Sequence, residues 1–106
     1  PAFNSTCLGK WSIVSNNTSH KDWANKDNSI ILEPSGEETA EDGVFFNKGS
    51  TFNQGTINVF SKDQLLEKFE EAESKFGIKN EEGLKLKDEF SYEKTLNKII
   101  KIIENA

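Results

Sequence analysis

Arginine is absent from this 106-residue chain, so all 13 of its basic side chains are lysines. The planar fork that grips phosphate, carboxylate and guanine bidentately is therefore missing. With 18 acidic residues and a formal charge of -5, the composition argues against nucleic-acid binding. Cysteine and histidine occur once each, as Cys7 and His20. One cysteine excludes an intramolecular disulfide framework and points to a reducing compartment, so a cytoplasmic location is expected. One histidine cannot assemble the imidazole and thiolate clusters of a zinc site, and neither a metal nor a cofactor is expected. Long apolar runs are also lacking: none approaches the ~20 residues of a membrane-spanning helix. Mean hydropathy is -0.66, and no membrane span is expected.

What the chain does have is aromatic residues, with eight Phe, two Trp and one Tyr to build a core. Its length suits one domain, residues 1–106, with a single core. The clearest local signal runs from Gly55 to Phe76. Gly55 to Phe60 reads as a strand, and Ser61-Lys62-Asp63-Gln64 opens a helix with a capping box, in which Ser61 and Gln64 each satisfy the other's backbone N–H. Leu65, Leu66, Phe69, Ala72 and Phe76 then recur at helical spacing on one side. Gly77 stands where a left-handed residue ends such a helix. A second amphipathic helix is predicted after Ser91, with Tyr92, Leu96, Ile99, Ile100 and Ile103 on its apolar face.

Upstream, Pro1 to Gly9 reads as a polar arm. Lys10 to Ser15 alternates as a half-buried strand. Asn16 to Asn28 reads as a long polar loop, or as a loop with one helical turn around Asp22-Trp23-Ala24, that Trp23 pins to the core; Ser29 to Leu32 reads as a short strand buried on both faces, which periodicity alone does not distinguish from a helix fragment. Further strands are expected at Val44–Phe46 and Ser50–Phe52, separated by turns at Asp42-Gly43, Asn47–Gly49 and Asn53–Gly55. Leu84 and Leu86 alternate with lysines as a short edge strand. Turns at this density imply an antiparallel meander. The predicted fold is α+β: a small antiparallel sheet of four to five strands between residues ~10 and 60, packed by two C-terminal helices.

Catalytic apparatus is thin. His20 near Asp22 or Asp27 is the one general-base candidate, and Cys7 the one thiol nucleophile. Lys48-Gly49-Ser50-Thr51 has the wrong order for a phosphate loop. The acidic stretch Glu33 to Asp42 lacks the spacing of a calcium loop. Three Asn-x-Ser/Thr triplets, at Asn4, Asn16 and Asn17, match the glycosylation acceptor pattern.

The helix faces carry more information. Asp63, Glu67, Glu70 and Glu71 make the first helix acidic, and Glu37, Glu38, Glu41 and Asp42 extend that charge in the preceding loop. Lys94, Lys98 and Lys101 make the last helix basic. The leading expectation is a non-enzymatic protein that binds another protein with a basic surface, as an inhibitor, immunity-type protein or regulatory subunit does. Its oligomeric state is left open. The alternatives are a binder of a small apolar ligand lined by Trp11, Phe45, Phe52 and Phe60, and a small enzyme using His20. Leu8 to Ser15 also resembles the Gly-x-Trp opening strand of lipocalins and fatty-acid-binding proteins. That resemblance implies a barrel with an apolar ligand, but it covers eight residues, and no arginine is present to hold a fatty-acid carboxylate.

Overall fold

Asn80 is the point at which the chain is tied together. The computed structural model describes residues 1–53 and 55–106. In it the fully buried Asn80 side chain donates from Nδ2 to the carbonyls of Lys10 and Asn28, at 3.0 and 2.7 Å. Its Oδ1 accepts from the Gly83 N–H at 2.9 Å, and its own N–H donates to the Gly9 carbonyl. One amide thus satisfies carbonyls from two distant segments and caps a helix.

That helix is α3 (Glu81–Glu89), with Glu81 and Glu82 in its first turn where the dipole favours negative charge. The predicted edge strand at Leu84 and Leu86 is corrected here. The cap at Asn80 commits the segment to a helix that buries Leu86. The N-terminal arm is also helical: α1 (Ala2–Cys7) packs against α3. Thr6 is fully buried between them, its hydroxyl donating to the Ala2 carbonyl. Gly83 permits the close approach, since a Cβ there would stand 2.5 Å from the Thr6 carbonyl oxygen. Phe3 extends from α1 edge-on to both Trp23 and Phe90, at centroid separations of 5.3 and 5.4 Å.

The expected single antiparallel sheet is replaced, among the described residues, by two two-stranded sheets. Strands β1 (Ile13–Ser15) and β2 (Ile30–Leu32) pair in parallel, Ile13 opposite Ile30. A parallel pair needs a long crossover, which residues 16–29 supply, with a 3-10 turn at Thr18–Asp22. Strand β2 buries Ile30 and Leu32 on one face, while Ile31 on the other is half-buried, so the run is a strand but not one buried on both faces. Strands β3 (Gly36–Thr39) and β4 (Thr56–Val59) pair antiparallel, Gly36 opposite Val59. Part of the acidic loop is therefore a strand. The lipocalin-like expectation also ends here, for Gly9 turns the chain at φ +83° and Trp11 precedes β1.

Neither Val44–Phe46 nor Ser50–Phe52 is a strand. The Asp42 carboxylate accepts from the backbone N–H groups of Val44, Phe45 and Phe46 at 2.8–2.9 Å, and amides so engaged cannot join a ladder. Ser50 and Asn53 close successive turns onto the Asn47 and Ser50 carbonyls. The expected turn at Asn53–Gly55 includes Gln54, which lies outside the described residues.

Helix α2 (Lys62–Ser74) follows β4 directly and packs on β2 and β1, with Leu65 and Ala72 turned inward. Ser61 accepts from the Gln64 N–H as the capping signal required. The reciprocal half of the box is not made: Gln64 Oε1 accepts from the Glu33 N–H at 2.7 Å, joining α2 to the end of β2. Helix α4 (Tyr92–Glu104) starts at the predicted Ser91 cap, and every one of its residues is exposed.

The core is accordingly small. Val14, Ile30, Leu32, Ala40 and Leu86 are its buried apolar side chains among the described residues, while Phe69, Phe76, Ile102 and Ile103 stand more than half exposed. The radius of gyration is 17.8 Å, against roughly 13 Å for a compact chain of this length. The accessible surface of 8201 Å² exceeds by about 2,000 Å² what a folded monomer of this mass presents.

Candidate functional site

The surface that the fold leaves open is the exposed side of α2 together with the whole of α4. On α2 the half-buried Leu65 and Ala72 face the strands, which turns Leu66 and Phe69 outward at 52% and 55% exposure. Phe76, just past the helix end, is exposed as well. At 100° per residue Glu73 falls between Leu66 and Phe69, within this stripe, and Glu70 lies beside Leu66. On α4, Leu96, Ile99, Ile100 and Ile103 share one face, with Lys98 beyond its edge and Lys94 and Lys101 behind. Tyr92, Leu96, Ile99 and Ile103 follow the alternating spacing of a helix-pairing seam.

The acidic residues singled out in the sequence fall into separate groups. Glu67 and Glu71 line a cavity of about 460 Å³ with Glu33, Gln64, Lys26 and Lys68. Glu71 is paired there with Lys68 at 3.2 Å. Asp63 and Glu70 are exposed elsewhere on α2. Glu37 and Glu38 alternate along β3, and Glu38 and Glu41 share a shallow depression with Lys48. Asp42 is not a free surface charge, because backbone N–H groups, Phe46 foremost, hold its carboxyl below the usual carboxylate range. Among the described residues no three His, Cys, Asp or Glu side chains are grouped to hold a metal ion.

Trp11, Phe45, Phe52 and Phe60 do not converge. Phe45 and Phe52 are 85% and 96% exposed on the Asp42–Asn53 loop. Trp11 instead lines a cleft of about 370 Å³ between the N-terminal segment and the end of α2. Lys75 Nζ lies 4.0 Å from its ring centroid, a cation–π contact between residues far apart in sequence. The Trp11 Nε1–H is buried without an acceptor. Lys10 and Lys79 also line the cleft, Lys79 being paired with Glu81. Nothing local in the sequence announces this arrangement.

His20 faces a backbone carbonyl. Its Nδ1 is 3.1 Å from the Ser15 oxygen, an acceptor only, so Nδ1 carries the proton. The Ser15 hydroxyl donates to Asn17 Oδ1 at 2.6 Å, and its oxygen lies 3.3 Å from His20 Nδ1. The ring packs edge-on to Trp23. Burial raises the Cys7 thiol above its ordinary value, against a smaller opposing effect of Lys87, which makes it a weaker nucleophile at neutral pH. Among the described residues no helix is long and apolar enough to cross a membrane. Comparison with protein-family models, curated proteins and solved structures finds no match for this chain.

Proposed function

We propose that this chain acts by binding another protein, with the apolar face of α4 as its recognition element and the acidic surface of α2 and β3 orienting the encounter. The observation that carries the reading is an amphipathic helix with no buried or half-buried residue, its apolar face exposed from 41% at Ile100 to 68% at Ile103. Helix α4 has 13 residues, and an isolated helix of about 12–15 residues is marginal in water. Its Leu96, Ile99, Ile100 and Ile103 gain burial only from a surface that this fold does not itself supply. Exposed apolar surface on this scale marks interaction sites in soluble proteins. Asp63, Glu67, Glu70, Glu37, Glu38 and Glu41 favour a partner with a basic rim.

The test is affinity capture from the native source with the full chain and with Ile99→Asp. The expected result is a protein retained by the first and lost with the second. Equal recovery by both would remove α4 from the role. Converting Glu67 and Glu70 to Lys should slow association at low salt, with little effect at high salt.

A second reading is favoured by the Trp11 cleft, which the Trp11 ring and the Lys10, Lys75 and Lys79 side chains line. A small apolar anion suits that chemistry. Native mass spectrometry of protein from its own source should then show a bound small molecule, and Lys75→Gln should lose it.

A further inference from the structure

We infer that the occupant of the Trp11 cleft is a small monocarboxylic acid, its carboxylate on the Lys75 ammonium and its apolar body along Leu8, Phe76 and Ile78. The inference rests on the second reading above and names the chemical class of its ligand.

Charge is the first argument. The cleft is lined by Lys10, Lys75 and Lys79 and by no aspartate or glutamate, in a chain whose formal charge is -5. Cavities elsewhere carry carboxylates: Glu33, Glu67 and Glu71 in the one beside α2, and Asp22, Glu82 and Glu89 in one between residues 21–28 and α3. Lys79 is offset by Glu81 at 3.6 Å. Among the described residues, Lys10 and Lys75 have no ion-pair partner. Two uncompensated ammonium groups on one concavity favour an anion there.

The form of that anion is the second. No arginine is present to grip a phosphate in a planar fork. Ala72 and Lys75 bring the C-terminal end of α2 to the cleft, and the partial negative charge of such a helix end opposes a dianion. Lysine is a compact point charge, which a single carboxylate matches. Lys75 is the better placed of the two, because its Nζ is held 4.0 Å from the Trp11 ring centroid. A carboxylate that meets this ammonium from the cleft leaves the cation–π contact in place.

Apolar surface is the third. Leu8, Phe76 and Ile78 line the same cleft and are 74%, 92% and 57% exposed in the free chain. An apolar body laid against them removes that surface from water, which a bare inorganic anion does not. The volume of about 370 Å³ lies at the low end of the roughly 300–1,000 Å³ of small-molecule sites. It suits an acid with one or two rings, or a short branched chain.

Titration of the full chain with naphthoate, followed in proton–nitrogen NMR spectra, tests this. The Trp11 indole N–H and the Leu8 and Ile78 amides should shift saturably, with the Trp23 indole unmoved. So small an acid should bind with a Kd of about a millimolar or tighter. Naphthamide and naphthylmethylamine should bind at least about tenfold more weakly, naphthalene dicarboxylate no more tightly, and acetate should give no shift. Lys75→Gln should weaken naphthoate about fivefold or more, whereas Lys75→Arg, which keeps the charge over the ring, should retain most of the affinity. Lys48→Gln removes the same charge from the Asp42–Asn53 loop and should change nothing. Equal binding of naphthamide, or binding indifferent to Lys75→Gln, overturns the inference, as do shifts confined to α4 or to the Asp42–Asn53 loop. A molecule found by native mass spectrometry and lost with Lys75→Gln, but not a monocarboxylate, would keep the second reading and overturn this inference. With neither a native ligand nor a naphthoate shift at Trp11, both fall.

Discussion

Asn80 shows how much one polar side chain can hold when the apolar core is small. Replacing it with Ala leaves the Lys10 and Asn28 carbonyls and the Gly83 N–H without their partner in a buried place. Stability should fall by about 2–3 kcal/mol, measured by urea unfolding of the full chain. Asn80→Asp should be at least as damaging, because it keeps the acceptor for Gly83 but has no donor for the two carbonyls and buries a charge. At Asp42 the relevant variable is pH. Its folded-state pKa is lowered, so the contribution of the carboxylate is complete above the ordinary value of 3.8 and is lost as pH falls through the depressed one. The amide resonances of Val44, Phe45 and Phe46 should hold their positions down to that value and move only below it. In Asp42→Asn they should be displaced already at neutral pH.

Elements differ in how much of their making is local, and this decides what the sequence discloses. Helices α2 and α4 begin at Ser61 and Ser91 as predicted, because an N-cap is a contact between residues three apart. The positions of β1, β2 and β4 were legible from alternation and apolar runs. Their pairing was not, since parallel or antiparallel register is decided by where the crossover at residues 16–29 travels. Val44–Phe46 has strand composition but sits after a carboxylate that takes its amides. Leu84 and Leu86 alternate like a strand, yet Asn80-Glu81-Glu82 is a helix start that outweighs two leucines. For the candidate site, residue type showed which helix was acidic and which basic. It did not show that α2 spends part of its apolar face on β2, or that Lys75 meets Trp11, because both are long-range facts. Gly83 offers an element-scale check. Ala is the better helix former by up to about 1 kcal/mol, but a Cβ here meets the Thr6 carbonyl. Gly83→Ala should therefore destabilise the α1–α3 contact by about 1–3 kcal/mol. The loss should show as a lower unfolding midpoint with helix content retained.

The whole molecule is uneven in what holds it. Residues 1–32 and 80–90 share the Asn80 junction, the Phe3–Trp23–Phe90 cluster and the buried β2 strand, whereas the Asp42–Asn53 loop and α4 are exposed throughout apart from half-buried Asn53. Local opening free energy follows buried contact, so hydrogen exchange should divide the chain along that line. In the single chain the amides of α4 depend on intrahelical bonds. A 13-residue helix so placed opens readily. Its amides should exchange at least about a hundredfold faster than those of β2 and of α3 around Leu86, which open only with larger parts of the fold. The pattern should change with occupancy of the α4 face and nowhere else on the same scale. Adding a captured partner should slow α4 exchange while leaving β2 at its original rate. Equal protection of α4 and β2 at high dilution would mean that α4 is already packed within the single chain, and the docking role given to it would be wrong.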